Sequence, residues 1–162
     1  MAISVGDTLP SATFVKMTAD GPASVSLSDM TAGRRVVLFA VPGAYTPTCS
    51  SAHVPSFIRT HAALKDKGID EIACVSVNDP FVLAAWGEAT GATAAGITML
   101  GDADSAFTTA IGMDFTAPPA GLMSRSKRYS MVVEDGKVTH LNVEESPGVC
   151  ELSAGEALLD QL

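Results

Sequence analysis

The sequence predicts a three-layer α/β domain in which a central mixed β-sheet is flanked by helices. Short apolar runs bounded by turn residues alternate with stretches whose apolar residues recur at helical spacing. A hairpin pattern follows near the end of the chain, and no repeat or linker interrupts this order. With 162 residues, the chain is long enough to bury a core as one domain, 1–162, without disulfides or metal ions.

Five short apolar segments are predicted to form the strands of this sheet. They span residues 35–41, 72–77, 97–100, 128–133 and 137–143. The first, R-V-V-L-F-A-V, is typical of a buried central strand. The last two are separated by Asp135 and Gly136, a pair typical of tight hairpin turns.

Four segments carry helical signals, beginning at Thr48, Pro80, Ser105 and Ser153. The first is predicted to run to Lys67 and the last to Leu162, with Asp79 capping the helix that starts at Pro80. Four residues of that second helix are predicted to face inward: Phe81, Val82, Ala85 and Trp86. The resulting order of elements is that of the thioredoxin-like layout, although other α/β folds share it.

Charge and hydropathy exclude some classes of function. The formal charge is −8, from 10 basic and 18 acidic residues, so binding to nucleic acid is not expected. No apolar run approaches the roughly 20 residues that span a bilayer, and the first eight residues do not resemble a signal peptide. We therefore expect no membrane association and a cytoplasmic protein.

The chain has three cysteines, Cys49, Cys74 and Cys150. An odd number without a secretory signal favours reduced or redox-active thiols over a disulfide framework. Only Cys49 and His53, four residues apart, could share a helical face as metal ligands, and no third ligand accompanies them. No metal site is predicted.

Cys49 lies where a nucleophilic thiolate would be stabilised. The stretch P-G-A-Y-T-P-T-C, residues 42–49, follows a buried strand and places Cys49 in the first turn of the next helix. Free backbone N–H groups and the positive end of the helix dipole stabilise a thiolate there. Pro42 and Pro47 stiffen the loop, and the Thr46 hydroxyl can lie beside the sulfur. The alternative interpretation is a buried cysteine that packs as a small hydrophobic residue.

The residue three positions before Cys49 narrows the chemistry. Dithiol oxidoreductases carry C-x-x-C at this helix start, whereas this sequence has T-P-T-C, with Thr46 in the first position. A short-range disulfide cannot form without the partner thiol. A single thiolate beside a hydroxyl suits attack on an electrophilic oxygen.

These residues resemble the active-site signature of the peroxiredoxins, P-x-x-x-T-x-x-C, and the longer stretch is similar to the type-II (peroxiredoxin-5-like) branch. Collinear similarity extends over nearly the whole chain: V-G-D at 5–7, V-S-V-N-D-P-F-V at 75–82, R-S-K-R-Y-S-M-V-V at 125–133 and L-N-V-E at 141–144. Tyr45 departs from the family pattern, in which phenylalanine is commoner.

The resemblance implies a thiol peroxidase that reduces hydrogen peroxide and organic hydroperoxides without a metal, haem or flavin. It assigns peroxide attack to Cys49, hydrogen bonding to Thr46 and Arg128, and shielding of the thiolate to Pro42. Sequence alone does not distinguish Arg125, Lys127 and Arg128, so the choice of Arg128 rests on the resemblance. His53 is interpreted as active-site wall or interface, because a thiolate at a helix start needs no separate base.

The resemblance also implies a recycling thiol and a homodimer. The sulfenic acid at Cys49 would be reduced by glutathione with glutaredoxin or by thioredoxin, and we expect an external thiol to resolve it. Cys74 and Cys150 are the possible internal partners, with Cys74 preferred. The homodimer would use apolar residues of the active-site loops: Val41, Ala44, Tyr45 and Phe81.

Two other classes of function use the same cysteine. One is a redox sensor or chaperone without enzymatic activity, whose thiol signals to partners. The other is a cysteine hydrolase, which needs an opposed histidine and an orienting carboxylate. His53 lies on the same helix as Cys49, which makes it poorly placed as an opposed base.

Overall fold

A seven-stranded mixed sheet organises the molecule, in the strand order β2-β1-β5-β4-β3-β8-β9. The computed structural model describes residues 2–162. Its strands are β1 Thr13–Thr18, β2 Gly21–Ser26, β3 Arg35–Val41, β4 Glu71–Ser76, β5 Thr98–Gly101, β6 Asp114–Ala117, β7 Leu122–Ser126, β8 Tyr129–Glu134 and β9 Lys137–Val143. Its α-helices are α1 Leu27–Thr31, α2 Val54–Asp66, α3 Pro80–Thr90, α4 Ala106–Ala110 and α5 Gly155–Leu159.

The sheet is covered by helices on both faces. Side chains of a strand point alternately to either side, so β3 sends Val37 and Phe39 to one face and Val36 and Leu38 to the other. The first face packs against α2, α3 and α5, and the second packs against α1 and α4. The predicted three-layer arrangement is therefore confirmed.

The strands are parallel at the centre of the sheet and antiparallel towards its edges. β3 pairs in parallel with β4, and β4 with β5, while β8 lies antiparallel on the other side of β3. The β8–β9 hairpin turns at Asp135 and Gly136 with φ values of 50° and 79°, as the Asp-Gly pair predicts. The predicted mixed sheet and its hairpin are both confirmed.

Several elements are absent from the sequence prediction. These are the β1–β2 hairpin, α1 and the separate two-stranded β6–β7 sheet. The β1–β2 hairpin lies at the edge of the large sheet, and most of its residues are half-buried or exposed, which weakens the apolar signal. Its turn nevertheless contains the pair Asp20-Gly21, the same signal that predicted the later hairpin.

The predicted inward face of α3 is partly wrong. Asp79 caps this helix through Val82 N–H at 2.8 Å, as predicted, but Phe81 and Ala85 are exposed. Leu83 and Trp86 are the side chains that pack into the core. The last helix is also shorter than predicted, since α5 spans Gly155–Leu159. No helix within residues 2–162 has the length and apolar character needed to cross a bilayer.

The predicted helix from Thr48 to Lys67 is divided near its start. Residues Cys49–His53 form a π-helical turn, and α2 follows from Val54 to Asp66. Pro55 has no N–H to donate to an α-helical ladder, which explains why the irregular turn lies directly before it. Such π-helical turns occur frequently at functional sites. Gly68 follows the end of α2 with φ of 91°, a left-handed conformation common after helix C-termini.

Candidate active site

Cys49 lies beyond the carboxyl end of the central strand β3, at the start of the π-helical turn. Its side chain is completely buried and belongs to the apolar cluster between the sheet and α2. Burial alone matches the alternative interpretation of a packing cysteine. The polar side chains around the sulfur do not match it.

Thr46 is the first of these polar neighbours. Its Oγ1 lies 2.7 Å from Cys49 Sγ and 2.8 Å from the carbonyl oxygen of Gly43. A hydroxyl has one hydrogen, so it donates to one of these acceptors at a time. With a thiolate at Cys49, Thr46 donates to the sulfur; with a neutral thiol, it can donate to Gly43 and accept from the S–H group.

Arg128 is the second polar neighbour, and it is only 1% exposed. It lies between β7 and β8, and its Nη2 donates to Cys49 Sγ at 3.1 Å. Nε and Nη2 also donate to the carbonyl oxygen of Pro147, at 3.2 and 2.9 Å. A buried guanidinium with these bonds is held in one orientation, with a permanent positive charge beside the sulfur.

His53 completes the hydrogen bonding of Arg128, a contact that the sequence interpretation missed. Its Nδ1 lies 3.1 Å from Arg128 Nη1, and its Nε2 lies 3.1 Å from the carbonyl oxygen of Ser153. Nε2 therefore carries the proton, and Nδ1 accepts from the guanidinium. Burial and, secondarily, the charge of Arg128 lower the pKa of His53 from 6.5 to about 3, so the imidazole is neutral.

Pro42 and Arg125 form the outer part of the loop. The carbonyl oxygen of Pro42 accepts a hydrogen bond from Arg125 Nη1 at 3.2 Å, and a side chain at Gly43 would collide with the same guanidinium. Arg125 thus supports the loop backbone and Lys127 is exposed, whereas Arg128 contacts the sulfur. The geometry thus distinguishes the positions of the three basic residues relative to the sulfur, which sequence alone did not.

A pocket of about 370 Å³ opens beside these groups. Pro42, Thr46 and Arg128 contribute to one part of its lining, and the remainder includes the apolar side chains Ala120 and Leu122. The pocket therefore combines hydrogen-bond donors at the thiol with an apolar wall. This combination can accept a small hydroperoxide and the carbon group attached to it.

The two other cysteines have different environments. Cys74 is fully buried in β4, where burial raises the pKa of its thiol well above the usual value. Cys150 is half-buried in the segment after β9, and burial raises the pKa of its thiol as well. All three cysteines are free thiols. Within residues 2–162, no cluster of three or more His, Cys, Asp or Glu side chains could hold a metal ion.

Comparisons with known proteins agree with this geometry. The profile of the Redoxin family matches residues 4–159. Chloroplastic peroxiredoxin-2E-2 of Oryza sativa subsp. japonica is 48% identical over 96% of this chain and 71% of that protein. Mitochondrial peroxiredoxin-2F of Arabidopsis thaliana is 45% identical over 86% of this chain and 69% of that protein.

Solved structures are similar over the same extent. The crystal structure of reduced Prx3 from Vibrio vulnificus in complex with H₂O₂ has a TM-score of 0.91 and 48% sequence identity. The similarity covers 98% of this chain and 98% of that chain. This chain is therefore similar, in fold and over nearly its full length in sequence, to a protein whose crystal structure contains H₂O₂.

Proposed function

The chain belongs to the redoxin family and, within it, to the type-II peroxiredoxins, and we propose that its thiol peroxidase activity depends on a sulfenic acid formed at Cys49. The observation that supports this proposal most strongly is the pair of donors on one sulfur. Thr46 Oγ1 and Arg128 Nη2 lie 2.7 and 3.1 Å from Cys49 Sγ, beside a pocket of about 370 Å³.

The proposed step is a two-electron transfer from sulfur to peroxide. The Cys49 thiolate attacks the outer oxygen of the hydroperoxide, an S–O bond forms and the O–O bond breaks. Cys49 is oxidised to the sulfenic acid, and the leaving oxygen takes a proton to become an alcohol or water. Sulfur supplies both electrons.

Arg128 and Thr46 are assigned to the charge that develops in this step. Negative charge moves from the sulfur to the leaving oxygen, and donors fixed before the reaction stabilise it without reorganisation. Arg128 is buried and held by Pro147 and His53, so it meets this requirement. Pro42 borders the pocket and is assigned to keeping water from the thiolate.

Organic hydroperoxides and hydrogen peroxide are the proposed substrates. The apolar part of the pocket suits the carbon group of an organic hydroperoxide. The test is the loss of each hydroperoxide when the protein is incubated with a thiol reductant. Continuous turnover supports a peroxidase, whereas a single oxidation without turnover supports the alternative of a redox sensor or chaperone.

We assign the recycling of Cys49 to an external thiol, glutathione with glutaredoxin, in preference to thioredoxin acting on an internal disulfide. Cys74 is fully buried in a central strand, and Cys150 is half-buried with a raised pKa. A disulfide requires Cα atoms within about 7 Å, and Cys74 could move towards Cys49 only by disrupting the sheet. Cys150 lies in a segment without regular secondary structure, so no sheet pairing holds it in place.

Mass spectrometry after one equivalent of peroxide tests this assignment. A sulfenic acid or a glutathione adduct on Cys49 supports external resolution. A disulfide between Cys49 and either Cys74 or Cys150 in most molecules would replace it with internal resolution. Comparing turnover with glutathione–glutaredoxin and with thioredoxin then identifies the preferred reductant.

A homodimer and a cytoplasmic location complete the proposal. Tyr45 and Phe81 are 56% and 64% exposed, unusually high values for aromatic side chains, and both adjoin the active-site loops. Val41, which was also expected at the interface, is completely buried in the sheet and is excluded from it. A monomeric mass in sedimentation at micromolar concentration would contradict the dimer.

The cytoplasmic location is tested separately. Because relatives include chloroplastic and mitochondrial proteins, cell fractionation is the measurement that identifies the compartment.

A further inference from the structure

One irregular segment, residues 144–153, connects β9 to α5 and contacts the active site at several points. We call it the strap. Its carbonyl oxygen at Pro147 accepts from Arg128, its carbonyl oxygen at Gly148 accepts from Thr48 Oγ1 at 3.1 Å, and its carbonyl oxygen at Ser153 faces His53. The strap therefore supplies the acceptors that orient the guanidinium, both directly and through the imidazole.

Apolar packing contributes little to holding the strap. Residues 145–149 are exposed, and Val149 and Leu152 leave 40% and 56% of their surface in solvent. A segment with so little buried apolar surface needs polar anchors to keep one conformation.

Glu144 is the strongest of these anchors. It is only 5% exposed, and its Oε1 accepts from the backbone N–H groups of Glu151 and Ser153, both at 2.8 Å. The hydroxyl of Ser153 adds a third bond at 3.2 Å. The backbone N–H of Glu144 in turn donates to the carbonyl oxygen of Arg128 at 2.9 Å. One carboxylate thus joins the two ends of the strap. It does so next to the backbone of Arg128, the residue that contacts Cys49.

We propose that Glu144 is a positioning residue for peroxide reduction: its carboxylate closes the strap so that the Pro147 and Ser153 carbonyls hold Arg128 and His53 against Cys49. Glu144 acts through these backbone groups. It contacts neither the Cys49 sulfur nor the pocket that Thr46 lines. The proposal rests on the proposed role of Cys49 and Arg128.

The kinetic test compares Glu144→Ala, Glu144→Gln and Glu145→Gln. Removing a donor that acts directly on the developing charge costs about 10²-fold to 10³-fold, so Glu144→Ala, which acts only through Arg128, should slow the second-order reaction with peroxide by less, roughly 10-fold. Glu144→Gln keeps an acceptor oxygen without the charge and should retain an intermediate rate. Glu145 is exposed and adjacent, so Glu145→Gln is the matched control and should react as the wild type does.

A labelling test separates opening of the strap from general destabilisation. In a Cys49→Ser background, the rate of labelling by a bulky thiol reagent measures the accessibility of Cys150 on the strap and of Cys74 in the core of the same molecule. Glu144→Ala should speed the labelling of Cys150 and leave Cys74 unlabelled, because only the strap is released. This readout does not depend on catalysis, so it remains valid even if the wild-type protein shows no peroxidase activity.

Two results would overturn the proposal. One is a wild-type peroxide rate in Glu144→Ala, with wild-type protein active and Cys49→Ser inactive. The other is labelling of Cys150 and Cys74 at equally increased rates, which would assign Glu144 to overall stability alone. If Glu144→Ala does not fold, a slowed peroxide rate together with faster Cys150 labelling in Glu144→Gln supports the proposal, and wild-type values for both overturn it.

Discussion

Cys49 and Cys74 are both completely buried and belong to the same apolar cluster on one face of the sheet, yet their surroundings differ. Cys74 lies within β4, where its neighbours across the sheet are Phe39 and Met99. Cys49 lies beyond the end of a strand, with Thr46 and Arg128 hydrogen-bonded to its sulfur. Two equally buried thiols therefore differ in the groups that contact the sulfur: hydrogen-bond donors at Cys49 and apolar side chains at Cys74.

This difference shows that burial alone does not decide how a cysteine reacts. Transfer into an apolar region disfavours the charged form, and this effect raises the pKa of Cys74. Donors that are already in place favour the charged form and compensate for the lost water. The position beyond the strand makes such donors available, because loop and helix-start residues converge there, whereas the backbone of β4 is paired on both sides.

The largest expected effect is on the first oxidation step. Cys49→Ser should abolish peroxide reduction, because the hydroxyl that replaces the thiol is a far weaker nucleophile, while Cys74→Ala should keep the wild-type rate. Stopped-flow fluorescence can follow this step, since the single tryptophan, Trp86, donates from Nε1 to Ser50 Oγ at 2.9 Å, one residue from Cys49. Peroxide reduction at the wild-type rate in Cys49→Ser would refute the assignment.

The next effect separates the donors from other nearby polar groups. Thr46→Val and Arg128→Ala should each lower the second-order rate with peroxide by about 10²-fold to 10³-fold, because each removes a donor aimed at the developing charge. Arg125→Ala is the control for the loss of a neighbouring guanidinium. Its bond to Pro42 supports the loop without touching the sulfur, so its effect should be clearly smaller. A larger loss in Arg125→Ala than in Arg128→Ala would contradict the assignment of the two arginines.

A smaller effect concerns stability and its dependence on pH. His53 is neutral in the folded protein because its pKa is lowered from 6.5 to about 3, whereas the unfolded chain binds a proton below 6.5. The stabilising contribution is therefore complete above pH 6.5 and is lost as the pH falls towards 3. Within this window the free energy of unfolding should decrease by up to about 1.4 kcal/mol per pH unit from this one group.

Urea unfolding at a series of pH values measures this dependence, with His53→Asn as the variant and His61→Gln as the matched control. The dependence between pH 6.5 and 3 should be weaker in His53→Asn than in the His61→Gln control, which removes a partly buried histidine outside the active site. An unchanged slope in His53→Asn would show that His53 is protonated or accessible in the folded state.

Much of the fold follows from local sequence signals. The apolar run of β3 and the Asp-Gly turn of the β8–β9 hairpin each depend on residues adjacent in the chain, and both were predicted correctly. The same signals placed Cys49 at the start of a helix. The β1–β2 hairpin at the edge of the sheet was missed because most of its side chains are half-buried or exposed, which leaves a weak apolar pattern.

The remaining features of the site depend on contacts between distant parts of the chain. His53 and Ser153 are 100 residues apart, so no local pattern indicates their hydrogen bond. The choice of Arg128 over Arg125 and Lys127 depends on how the chain passes from β7 to β8, and only the family resemblance indicated it in advance. Phe81 was expected to face inward from its place in α3, but the side on which this helix meets the sheet is set by Leu83 and Trp86.

The identity of the oxidised sulfur tests the central claim most directly. Fully reduced protein is treated with one equivalent of hydroperoxide in the presence of dimedone, which traps sulfenic acids, and each cysteine-containing peptide is then quantified by mass spectrometry. We predict the dimedone adduct on Cys49, with Cys74 and Cys150 recovered as unmodified thiols. An adduct on Cys74 or Cys150 with Cys49 unmodified would contradict the account.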